Sequence, residues 1–144
     1  MQILIVGSGT PEALVVRWSR LPGVRLLGFV ENLEALYESC LATVVSVYAG
    51  GGTCIKTLES LSHARVCLCS PFGARGLADE TEQKHAGVFV YRSAEEFVCL
   101  LRQQVVNVVQ RAENERNARK YIDCQCSEVA FAQTVAETFE KYAK

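Results

Sequence analysis

The stretch Gly50-Gly51-Gly52-Thr53-Cys54-Ile55-Lys56-Thr57-Leu58-Glu59 sets a flexible turn directly before a helix start. Free backbone N–H groups and the positive end of the helix macrodipole make such a place a ready phosphate site. Lys56, one turn in, can add a full charge to the same anion. Glu59, three residues further, falls on a neighbouring face and can accept from a pair of sugar hydroxyls. The same residues also permit a plainer arrangement, in which the glycines only let the chain turn. Lys56 and Glu59 then form a surface pair worth about 0.2–0.5 kcal/mol. Residue types alone leave both readings open.

A second glycine cluster, Gly7-Ser8-Gly9-Thr10-Pro11-Glu12, resembles the start of a dinucleotide fingerprint. It lacks the third glycine, places Pro11 where the helix should open, and has no acid at the end of a second strand to hold a ribose. The NAD reading is therefore weak. Metal chemistry fares no better, because Cys124-x-Cys126 lacks a zinc pattern and His63 and His85 have no ligand partners at zinc spacing. We expect no metal and no bound cofactor.

Strands and helices must alternate to present these turns. Residues 2–6 form an apolar run of parallel-strand type, and further strands are expected over 24–30, 43–48, 66–69 and 88–91. Helices are expected after Glu31-Asn32 (Leu33, Leu36, Tyr37 and Cys40 forming one stripe), after the glycine turn (Ile55, Leu58, Leu61), over 94–110 and over 127–142. The last carries Val129, Ala132, Val135, Phe139 and Tyr142. The charged stretch 111–120 joins those two, also as helix. This alternation predicts an α/β fold, a three-layer sandwich around a mainly parallel sheet, with residues 1–144 as one domain. Ligands in such folds sit at the carboxyl ends of the strands, where both glycine clusters fall.

Composition narrows the function classes. The 144 residues are 49% hydrophobic and 22% charged, and 15 basic against 16 acidic residues leave a net charge of −1. No basic face for nucleic acid results. No apolar run reaches the roughly 20 residues that span a bilayer. Met1 to Gly7 lacks the basic start of a signal peptide and reads as a strand. The seven cysteines are an odd number and lie in apolar segments. Cys67 and Cys69 alternate along a strand, while Cys40 and Cys99 are placed on helix core faces. Thiols so placed fit a reducing cytoplasm better than a disulfide framework.

The phrases "LIVGSGTPEAL", "GVRLLGFVENLEALYESC", "SVYAGGGTCIKTLESLSHARVCLCSPFGARGL" and "GVFVYRSAEEFVCLL" follow one another in the order and spacing of a known family. Together they resemble the C-terminal, donor-nucleotide-binding domain of group 1 retaining glycosyltransferases of the GT-B fold. The tail from Asn114 to Tyr142 is similar to the closing helices of that family. The resemblance implies glycosyl transfer from a nucleotide-diphosphate sugar to an acceptor. It assigns Gly50, Gly51, Gly52, Thr53 and Lys56 to the donor diphosphate and Glu59 to the ribose. It makes Gly7 and the segment of Val30, Glu31 and Leu33, together with Arg75, Gly76 and Leu77, loops near the donor or its nucleobase.

Three departures qualify this picture. Gly51 stands where many members carry the first of two glutamates, eight residues before Glu59. Ala64 and Val66 replace a turn glycine and a proline ahead of the next strand, and Arg75 sits where an acid is frequent. The resemblance also implies a separate N-terminal acceptor domain and a first donor-domain strand that these residues do not include. The chain alone is then expected to transfer no sugar. A non-catalytic module that binds nucleotide or a protein partner is the alternative. The missing strand further predicts that residues 2–6 pair directly with 43–48 and that leftover apolar surface is buried in a homodimer.

Overall fold

A computed structural model describes residues 1–77 and 79–142. Strands and helices alternate as β1 (Ile3–Val6), α1 (Glu12–Ser19), β2 (Val24–Gly28), α2 (Glu34–Ser39), β3 (Thr43–Val45), α3 (Ile55–Ser62), β4 (Cys67–Cys69), α4 (Glu80–His85), β5 (Val88–Val90), α5 (Ala94–Val106), α6 (Val108–Gln125) and α7 (Glu128–Tyr142). The α/β class with parallel strands is as expected. The chain divides into two compact units, Met1–Ala35 and Leu36–Lys144.

In the first unit β1 and β2 pair in parallel, Ile3 opposite Val24 and Ile5 opposite Leu26, with a register shift between Ile5 and Val6. The Gly7 N–H extends the pairing by donating to the Gly28 carbonyl at 2.8 Å. Pro11 caps α1 with its carbonyl, which accepts from the N–H groups of Leu14 and Val15. A proline fits there because its missing N–H would have had no helical partner.

In the second unit β4 lies between β3 and β5, all parallel, with Thr43 opposite Cys67 and Cys67 opposite Val88. Buried on both faces, β4 is sealed throughout: Cys67, Leu68 and Cys69 have no exposed surface. Val45, Leu61, Ala74, Ala86, Val88 and Ala118 complete the core around these thiols. The Cys69 thiol is pushed well up from its ordinary pKa, first by its hydrogen-bonded neighbour Cys67 and then by burial. Both cysteines act as small apolar core residues.

β1 pairs with β2 and β3 with β4, in separate sheets of two and three strands. Ile3, Leu4 and Val6 on β1, and Val44 on β3, are exposed within their own units.

The helical stretch expected over 94–110 breaks at Asn107, whose side chain accepts from the Gln110 N–H and starts α6. The charged residues 111–120 lie inside that helix. Helix α4 was not foreseen; Asp79 caps it by accepting from the N–H groups of Thr81 and Glu82. Cys99, expected on a core face, is exposed. The apolar stripe of α7 also lies open, and Val129, Phe131, Phe139 and Tyr142 are all exposed.

Candidate functional site

The turn between β3 and α3 is built from the core outward. Thr57 and Leu61, fully buried, face the sheet from α3 and fix the helix in place. The Thr57 hydroxyl donates to the Gly73 carbonyl at 2.7 Å. The Ser70 hydroxyl, at the end of β4, donates to the Val47 carbonyl and accepts from the Gly73 N–H. Helix α3 and the loop after β4 are thereby tied to each other and to the exit of β3.

The glycine turn spans the remaining gap. Gly50 and Gly52 have φ of +139° and +66°, conformations that side chains disfavour. Cys54 donates its N–H to the Arg75 carbonyl at 3.2 Å. The Arg75 side chain returns the contact: Nε donates to the Gly52 carbonyl at 2.6 Å and Nη1 to the Gly50 carbonyl at 3.1 Å. Its guanidinium lies 3.8 Å over the Phe72 ring, a cation–π arrangement. Gly76 packs against Thr53 so closely that a β-carbon there would collide with the Thr53 side chain.

This leaves one side of the turn free. Among the described residues none accepts from the N–H groups of Gly51, Gly52, Thr53, Ile55 or Lys56. Lys56 is exposed and forms no ion pair among the described residues. The surface pair of Lys56 with Glu59 is therefore not formed. Glu59 is half-buried beside the hydroxyl of Tyr37, whose pKa is raised to about 12 by burial and then by the Glu59 carboxylate. The Tyr37 ring stacks on His63 at 4.3 Å, on the next turn of α3 from Glu59.

The second unit thus brings together Gly50, Gly51, Gly52, Thr53 and Lys56 with Arg75 and Gly76, and sets Glu59 one turn further along α3. Leu77 packs against the core and its N–H donates to the Ala74 carbonyl. Gly7, Val30, Glu31 and Leu33 belong to the first unit. There Val30 and Leu33 are half-buried, Glu31 is exposed, and Asn32 accepts from the Glu34 N–H. Sequence reasoning missed Phe72, Ser70 and Thr57 as supports of the turn. A polar Thr57 four residues before Leu61, on the buried face of α3, was the available signal.

The second unit is a parallel α/β unit whose strand passes through a glycine turn into a helix N-terminus, the place in such folds where anions can be accepted by free N–H groups. Residues 1–107 match the family of group 1 glycosyl transferases, and the chain belongs to that family. Its fold is similar to that of Anabaena HepE, solved in complex with UDP, with a TM-score of 0.75 and 17% identity. The match covers 98% of this chain and 41% of the HepE chain, so this chain spans less than half of that relative. No curated protein matches the sequence.

Proposed function

We propose that the chain is the nucleotide-sugar-binding part of a retaining glycosyltransferase of the GT-B type. Its role is to hold a nucleotide-diphosphate sugar for transfer to an acceptor carried by a separate N-terminal domain. The observation that carries this reading is the cluster of five N–H groups with no acceptor, beside a Lys56 with no ion pair, among the described residues. Family membership supports it. In glycosyl transfer from such donors, negative charge builds on the departing diphosphate. Fixed N–H dipoles and one lysine can stabilise that charge without a metal. Glu59 orients the donor by its ribose hydroxyls and performs no proton transfer. The cysteines, all free thiols, support a reducing, cytoplasmic setting.

The test is calorimetric titration of the purified chain with UDP, GDP and ADP. We expect weak binding of at least one, lost or much reduced in Lys56→Ala. Equal affinity in both proteins would place the phosphates elsewhere. We expect no sugar transfer by the chain alone, because the rate depends on holding donor and acceptor together. Clear turnover by the homogeneous 144-residue protein would overturn that part.

A further inference from the structure

We propose that Arg75 is a positioning residue that presets the glycine turn for phosphate from behind, without touching the ligand itself. The inference rests on the phosphate reading above and adds the means by which the site is ordered. Consecutive glycines lose more freedom on ordering than any other residues. A turn made of Gly50, Gly51 and Gly52 would, left alone, have to give up that freedom each time an anion bound.

Arg75 removes most of that freedom beforehand. Its Nε and Nη1 hold the carbonyls of Gly52 and Gly50 at 2.6 and 3.1 Å. In a trans peptide the carbonyl of one residue and the N–H of the next point in opposite directions. Holding the Gly50 and Gly52 carbonyls therefore turns the N–H groups of Gly51 and Thr53 away from Arg75, towards the open side. Those two N–H groups are among the five with no acceptor among the described residues.

The clamp is itself held. Phe72 lies under the guanidinium at 3.8 Å, and the Arg75 carbonyl accepts from Cys54 one residue before α3. A planar fork reaching two carbonyls while resting on a ring is a task for arginine. Lysine, a single point donor, cannot reproduce it. Two of the five guanidinium N–H groups are used on the turn, on the face opposite the unpartnered amides, so the same side chain does not also grasp the anion held there.

The experiment compares native protein with Arg75→Met and Arg75→Lys by calorimetry with UDP and with inorganic diphosphate. Amide order at Gly51 and Thr53 is followed in parallel by 15N heteronuclear NOE. We expect Arg75→Met to lose about tenfold in affinity for both ligands, the scale of re-ordering one or two residues. The two amides should become mobile while the melting temperature changes little. Arg75→Lys should recover little of the loss, and millimolar guanidinium added to Arg75→Ala should recover part of it.

Native affinity in Arg75→Met overturns the proposal. Full recovery in Arg75→Lys overturns it too, since charge alone would then suffice. If native protein binds neither ligand, the phosphate reading fails, and the NOE comparison still decides the clamp. Unchanged order at Gly51 and Thr53 would then refute it.

Discussion

The hydroxyl of Thr57, fully buried on α3, donates to the carbonyl of Gly73 at 2.7 Å and joins the helix to the loop that carries Arg75. Thr57→Val keeps the shape and removes the donor, leaving a buried carbonyl without its partner. We expect a loss of about 1–3 kcal/mol in urea unfolding, the desolvation penalty of one unsatisfied group. A change below a few tenths would mean that another donor reaches Gly73.

Ala64 should be improvable. Its φ is +52°, the left-handed region. The Ala64 N–H donates to the Leu61 carbonyl and the Arg65 N–H to the Ser60 carbonyl, the paired bonds of a Schellman ending to α3. Ala64 thus occupies the position where glycine is preferred. Ala64→Gly is expected to stabilise the protein by about 1 kcal/mol, because relief of the left-handed cost exceeds the added freedom of the unfolded chain. A lower melting temperature for Ala64→Gly would contradict this.

That turn also shows what the sequence could and could not reveal. The alternation of elements and the position of the glycine turn follow from apolar period and turn residues, and the structure has both. The family resemblance even marked Ala64 as standing in a glycine position, and the φ gives the reason. Arg75 was placed near the turn, but its carbonyl contacts depend on backbone direction, which residue types do not encode. Val44, apolar and β-branched, gave no sign that it would be exposed on β3.

Lys56 and Glu59 should separate phosphate from ribose. Lys56→Ala is expected to weaken UDP binding by about 1.5–3 kcal/mol, the range for hydrogen bonds to charged groups. Stability should hold, since Lys56 is exposed and has no ion pair among the described residues. Glu59→Gln should weaken UDP binding and leave inorganic diphosphate unaffected. Equal loss for both ligands in Glu59→Gln would tie that carboxylate to the turn and not to a sugar.

Tyr37 offers a reading of the Glu59 environment that needs no ligand. Burial first, and the Glu59 carboxylate second, raise its pKa from 10 to about 12. Both favour the neutral phenol, since ionisation would put a negative charge in a partly dry place beside another. A tyrosine with a raised folded pKa binds its proton more tightly when folded. Its contribution to stability is therefore complete below pH 10 and is lost as pH rises towards 12. Absorbance titration should show a late step near 12 that is lost in Tyr37→Phe, while Tyr91, also raised by burial, still ionises late. In Glu59→Gln the late step should move down but stay above 10, because burial remains the larger cause. An unmoved step would place the Glu59 carboxylate away from Tyr37, turned towards solvent, where it would have to be brought back before it could hold a ribose.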